Sequence, residues 1–380
     1  MELKSLEDLR RNGFRDPREL DRFLEENSFP LLSGSQATFA YRGEADEVLL
    51  RHWIYGLPAE QPFERVRGTD VWLLSIEMPE GSRVEYKLEV AQGDQRRLIQ
   101  DPLNPHLAAD PYGANSVVHA TGYEEPWWAV ADPEARPGEI QELRFVSDVF
   151  RGPRPLSVYL PARFREDKRY PLVVMHDGSD FLRFTELKTV LDNLIHRLEI
   201  PPLIVALTDS PNRLEEYADS EAHGRFLAHE LLPVLEQRFP LLEGPASKAL
   251  AGASFGAVAS LSAAWRHPGV FGRLLLLSGS FAFTDIGEDH GRGPVFDPVV
   301  RFVNAFRKDP GKPAQSVYLA CGTYESLIYY NRSMLPLLQG TGMSVKYTEA
   351  RDGHNWENWR DRLREGMSWL FPGPLWMVYE

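Results

Sequence analysis

A short apolar run, Ala249 to Ala251, feeds Gly252-Ala253-Ser254-Phe255-Gly256. Small and apolar residues at helical spacing follow: Ala257, Val258, Leu261, Ala264 and Trp265. The order is strand, sharp turn, helix, with a serine at the apex. So tight a turn forces the serine backbone out of the ordinary basins, and side chains two residues to either side would collide with neighbouring backbone. Glycines at 252 and 256 answer that demand. The spacing G-x-S-x-G is that of a nucleophile elbow. The motif alone is weak, because average glycine and serine usage yields it by chance in roughly one chain in ten of this length. The flanking strand and helix give it weight.

With 380 residues, one or two domains are expected, with ample length for a core. A net charge of −13 argues against nucleic acid and anionic membrane as partners. The single cysteine, Cys321, excludes an intramolecular disulfide and a cysteine-based metal cluster; at the end of an apolar run it reads as a buried thiol. No run of about 18 apolar residues exists, so no membrane span is expected. Met1 to Ser5 carries no apolar leader, which points to a cytoplasmic location.

Residues 4 to 27 read as two short helices, the second opened by Pro17. From about Gln36 the period changes to that of strands: Thr38 to Tyr41, Val48 to Tyr55, Val71 to Ile76 and Val84 to Val90. Glycine turns separate them, which suggests a small β-sandwich over residues 31–122. Trp53 and Trp72 could be stacking platforms for sugar, but a sandwich this small first needs large aromatics inside, and both are expected in its core. Residues 123–138, rich in Pro and acid, read as a linker in which Trp127-Trp128 docks on a domain. From Glu139 strands alternate with helices, predicting an α/β domain over 139–380 with a mostly parallel sheet. An antiparallel pair, 143–150 and 156–160, opens it, and helices are expected at 187–198, 226–239, 299–306, 327–338 and 356–371.

A serine nucleophile needs a base, and the base needs a carboxylate to fix its tautomer. In α/β-hydrolases they follow the serine in the order acid, then His. His354, in a glycine-containing loop between the last strand and the last helix, suits the base; His290 would come in the wrong order. Glu325 is the carboxylate that follows the strand Val317 to Ala320, with Asp352 as the alternative. The oxyanion hole needs two backbone donors. The amides of Phe255 and of Ser179, the latter in the loop after Leu172 to Met175, are the candidates; His176 and Asp177 read as loop formers.

The motifs His176-Asp177-Gly178, G-A-S-F-G-A, C-G-T-Y-E-S and G-H-N-W-E-N-W-R resemble the esterase-D-type branch of α/β-hydrolases. The run Asp101-Pro102-Leu103-Asn104-Pro105 with Asn115 to Val118 resembles immunoglobulin-like early-set domains related to glycogen-binding modules. A sandwich followed by such a hydrolase domain is similar to enterochelin esterases. That resemblance implies a triad of Ser254, Glu325 and His354, no metal or other cofactor, and an iron-loaded catecholate trilactone as substrate. It also implies Arg213 near the anionic substrate, Glu216 being its structural alternative partner. Phe181, Tyr324 and Trp356 flank the triad in sequence and are read as an aromatic wall; Trp359 is equally suited to the core. A feruloyl or acetyl carbohydrate esterase is the alternative with the same chemistry. A carbohydrate-binding protein with an inert hydrolase domain is the alternative of another class.

Overall fold

The structure is a computed structural model, and it describes residues 17–284 and 290–374. The first of the two helices expected between residues 4 and 27 lies outside the described residues. The chain divides into two compact units. The first holds the described residues up to Glu125, together with 323–326 and 350–355; the second holds the rest.

In the first unit, helix α1 (Pro17–Glu26) precedes ten strands. These are β1 (Leu31–Ser33), β2 (Gln36–Arg42), β3 (Glu47–His52), β4 (Glu60–Pro62), β5 (Glu64–Arg65), β6 (Val71–Glu77), β7 (Arg83–Gln92), β8 (Gln95–Ile99), β9 (Leu107–Asp110) and β10 (Gly113–His119). They form two sheets, ordered β1-β2-β6-β5 and β4-β3-β7-β10-β9, with β8 on β7. Every registered pair in them is antiparallel. Alternate residues of both sheets share one core, with Phe39 of β2 meeting Tyr86 of β7 edge-to-face at 4.9 Å. Tyr86 carries its hydroxyl into that core and needs partners there. The Asp-Pro-Leu-Asn-Pro run supplies them: Tyr86 donates to Asp101 at 2.7 Å and Asn104 Nδ2 donates to Tyr86 at 2.9 Å.

Trp72 is buried as expected, its indole N–H bonded to the Gly43 carbonyl. Trp53 corrects the expectation, for it is 58% exposed. Strand β3 stops at His52, whose Nδ1 accepts the Ile54 N–H and bends the chain, so Trp53 stands on a loop.

The second unit is built on strands β11 (Glu139–Ser147), β12 (Gly152–Leu160), β13 (Leu172–His176), β14 (Ile204–Thr208), β15 (Lys248–Ala253), β16 (Arg273–Leu277), β17 (Ser316–Gly322) and β18 (Ser344–Ala350). The sheet order is β11-β12-β14-β13-β15-β16-β17-β18. It begins antiparallel and runs parallel from β14 through β17. Successive residues of the central strands enter opposite cores: Leu172, Val174, Leu250 and Leu274 on one face, Val173, Met175, Ala249 and Leu275 on the other. That is why these strands read as unbroken apolar runs rather than alternation.

Helices α2 (Gly178–Phe184), α3 (Leu187–His196), α4 (Arg213–Tyr217), α5 (Glu221–Arg225), α6 (Leu232–Arg238), α7 (Phe255–Arg266), α8 (Asp297–Lys308), α9 (Ile328–Gly340) and α10 (Trp356–Leu370) connect the strands. The helix expected over 226–239 begins as a π-helical turn, Phe226–Leu231, and ends as α6. Trp127 and Trp128 dock within this unit: Asn193 donates to the Trp128 and Val130 carbonyls, and Trp128 Nε1 donates to that of Arg360. Cys321 is buried, its Sγ donating to the Gly322 carbonyl at 3.6 Å. Among the described residues, no helix is long and apolar enough to cross a membrane.

Candidate active site

Strand β15 is buried throughout and delivers Ser254 at φ 57°, ψ −119°, after which α7 starts at once. No unstrained non-glycine residue takes those angles, and such strain persists only where the surroundings enforce it. Here the Ser254 N–H donates to the Leu277 carbonyl at 2.9 Å, and the Ser254 carbonyl accepts from Ser280 N–H at 3.2 Å. A Cβ on Gly252 would lie 2.5 Å from the carbonyl carbon of Gly256, closer than atoms tolerate. One on Gly256 would meet His176 Cβ at 3.2 Å, a tight but softer contact. The Phe255 N–H occupies the first position of α7, where no intrahelical acceptor exists.

Sequence reasoning misses one neighbour of the nucleophile. Ser280 is buried, with Oγ 3.1 Å from Ser254 Oγ. Its loop is pinned by buried Asn331, which accepts from the Gly279 N–H and donates to its carbonyl, and by Trp359 Nε1 donating to Ser278 Oγ at 3.0 Å. The small triplet Ser278-Gly279-Ser280 directly after an apolar strand was the available signal.

The pair expected to serve as base and acid is formed within the first unit. His354 Nδ1 lies 2.7 Å from Glu325 Oε2. The Glu325 side chain is fully enclosed, whereas that of His354 keeps 37% of its surface. A carboxylate can only accept, so Nδ1 carries a proton, and in the neutral ring Nε2 is then the nitrogen with the lone pair. Their loops are tied by main-chain bonds from Thr323 N–H to the Ala350 carbonyl at 2.7 Å and from Tyr324 N–H to that of Asp352 at 3.1 Å. Asp352 is committed elsewhere, to buried Arg83, Asn355 and the Gly353 amide. His290 is held by Asp297 at 2.9 Å. Ser254 belongs to the second unit.

Three expectations need correction. The Ser179 N–H and hydroxyl both donate to Asp209 Oδ1, at 3.1 and 3.0 Å, so this amide is not an open oxyanion donor. Arg213 makes a two-pronged bond to Asp177, 2.8 Å on each prong. Glu216 is not its partner; Glu216 is taken by buried Arg154. Phe181 is fully buried, packed edge-on to Trp356 at 5.4 Å, because α2 turns it into the core beneath the sheet. Trp356 itself is half-buried against Phe181, Phe184 and Trp359. Tyr324 is half-buried on the sandwich core, its hydroxyl 2.6 Å from that of Ser82.

Asp177, in the left-handed region, turns the chain into α2 as read from the sequence, whereas His176 is not a loop former but the last residue of β13 and the start of a buried chain. Its Nδ1 donates to the Ala251 carbonyl at 3.0 Å, so its Nε2 must accept from His223 Nε2–H, 2.9 Å away. The remaining His223 nitrogen has no hydrogen-bond partner among the described residues and lies 3.9 Å from Glu216. Burial pushes His176 down to about 4 and lowers His223 well below the usual imidazole range. Both rings are neutral struts behind the elbow. Among the described residues, no group of three or more His, Cys, Asp or Glu is arranged to hold a metal ion.

Comparison with known proteins gives this arrangement a context. The chain is 24% identical to the Iron(III) enterobactin esterase of Dickeya dadantii over 346 residues, covering 82% of this chain and 80% of that one. The enterobactin esterase of Shigella flexneri, solved in the presence of 2,3-dihydroxy-N-benzoyl-serine, superposes with a TM-score of 0.73 at 22% identity, covering 92% of this chain and 98% of that one. The ferulic acid esterase of Anaeromyces mucronatus, in complex with ferulic acid, gives a TM-score of 0.52 at 18% identity and covers 64% of this chain and 95% of that one. The Esterase family model, described as "Putative esterase", matches residues 147–370. That match spans more than half of the sequence and includes the elbow and both loops of the ion pair, and the chain belongs to the Esterase family.

Proposed function

We propose that the protein is a serine esterase of the enterochelin-esterase type, which opens the ester bonds of an iron-loaded catecholate siderophore trilactone. The observation that carries this reading is coverage. The likeness to the Shigella enterobactin esterase takes in 92% of the chain, sandwich included, whereas the ferulic acid esterase accounts for 64%. The feruloyl esterase reading uses the same chemistry but leaves the sandwich without a counterpart.

The chemistry follows from the groups present. Ser254 Oγ attacks the ester carbonyl carbon while its proton passes to Nε2 of His354. Glu325, already bonded to Nδ1, stabilises the imidazolium that results. The Phe255 amide faces the oxyanion. Collapse of the tetrahedral species breaks the bond to the leaving alkoxide, which takes the proton from His354, and the acyl group stays on Ser254. Water then repeats the sequence, releasing the acid and restoring the serine. The strained backbone of Ser254 keeps its hydroxyl at the tip of the turn, and Ser280 offers a second hydroxyl to orient it.

Initial rates on a ferric 2,3-dihydroxybenzoylserine trilactone and on methyl ferulate, at equal enzyme, test the assignment. A preference for the trilactone of a hundredfold or more in kcat/KM is expected. A preference for methyl ferulate overturns it.

A further inference from the structure

The reading above gives the substrate aromatic rings, and the first unit presents a surface suited to them. Trp53, Tyr55 and Leu57 are 58, 62 and 56% exposed. Between them, half-buried Ile54 packs on the sandwich core, so the stretch alternates one residue inward and its neighbours outward. Two local bonds fix this shape: Ile54 N–H to His52 Nδ1 at 3.2 Å and Leu57 N–H to the Ile54 carbonyl at 3.4 Å. Three large apolar side chains lined up in water on one short loop are more than the scattered exposure an ordinary surface shows.

The position of the loop is as telling as its composition. The Tyr55 N–H donates to the Tyr324 carbonyl at 2.8 Å. Tyr324 directly precedes Glu325, the partner of His354, so the aromatic loop is bonded to the segment that carries the acid. Beside it, Trp53 and Leu98 supply apolar wall to an open cavity of about 510 Å³, a size that suits one small organic ligand. The charges at its rim are spoken for: Arg51 is bonded to Glu89 and Glu60, and Arg96 to Glu89. A rim of satisfied ion pairs around an exposed indole favours a flat ring over a free anion.

We propose that the Trp53–Leu57 loop and its cavity form the site that receives an aryl group of the substrate, with Trp53 as the stacking face. This rests on the esterase reading for the identity of the ligand, but its test does not depend on turnover. The full-length Ser254→Ala protein would be titrated with 2,3-dihydroxybenzoyl-serine by calorimetry, alone and combined with Trp53→Ala or Trp53→Phe. Trp53→Ala is expected to weaken binding about tenfold and Trp53→Phe to restore most of it, with unchanged melting temperatures. Equal affinity in all three proteins, or binding of a maltooligosaccharide and not of the aryl ligand, would overturn the proposal. Failure of the wild-type enzyme to cleave the trilactone would overturn the substrate reading instead.

Discussion

Glu325 holds Nδ1 of His354 at 2.7 Å with a carboxylate that has no contact with solvent. The enclosure fixes one rotamer of the acid and so one tautomer of the base. Glu325→Gln keeps the volume and presents an amide that can donate to Nδ1, favouring the wrong tautomer. We expect a folded protein whose kcat on any ester falls by about three to four orders of magnitude. Steady-state kinetics check this; activity within threefold of wild type would exclude Glu325 as the acid.

The two glycines of the elbow are not equivalent. Gly252→Ala drives a methyl group to 2.5 Å from main chain that cannot move without breaking α7, and about 3 kcal/mol or more of stability should be lost. Gly256→Ala meets the Cβ of His176 at 3.2 Å and carboxylate Oδ2 of Asp177 at 3.4 Å, and the cost should be roughly 1–2 kcal/mol. Urea denaturation of the pair should therefore rank 252 well below 256.

Acid should weaken the second unit through the histidines behind the elbow. His176 is held neutral, its folded pKa pushed down to about 4 from the usual value near 6.5. The unfolded chain therefore binds more protons between those values, and stability rises with pH across that window. It is full above about 6.5 and is lost as pH falls towards about 4, by roughly 3 kcal/mol from His176 alone. His223 is lowered in the same sense and adds to the loss. Denaturation midpoints measured from pH 7.5 to 4.5 should fall steeply in the wild type and less steeply in His176→Asn.

Much of this was legible in the sequence, for identifiable reasons. The elbow declares itself because its steric demands select residue types: Gly252 and Gly256 are needed where the backbone closes on itself. The acid and base declare themselves by loop position after β17 and before α10. What stayed hidden depended on direction, which one-dimensional spacing does not carry. Phe181 lies one turn into α2, and only the packing of that helix shows that its ring points into the core. Ser179 looked free as an amide donor because its acceptor, Asp209, comes from a strand end thirty residues away. Arg213 was paired in sequence with a glutamate three residues on, but the carboxylate within reach of its fork is Asp177, brought there by the parallel register of β13 and β14. Trp53 continues the apolar period of β3 in the sequence, but the strand ends at His52, and the bend made by the His52 ring has no signature in the sequence.

The proposed reaction passes through acylation of Ser254 Oγ. Mixing enzyme with a slowly hydrolysed aryl ester, quenching in acid within milliseconds and mapping the peptides by mass spectrometry reads that event directly. A single acyl adduct is expected on the peptide carrying Ser254, absent from Ser254→Ala, which should also lose turnover by several orders of magnitude. An adduct on another residue, or undiminished hydrolysis by Ser254→Ala, would contradict it.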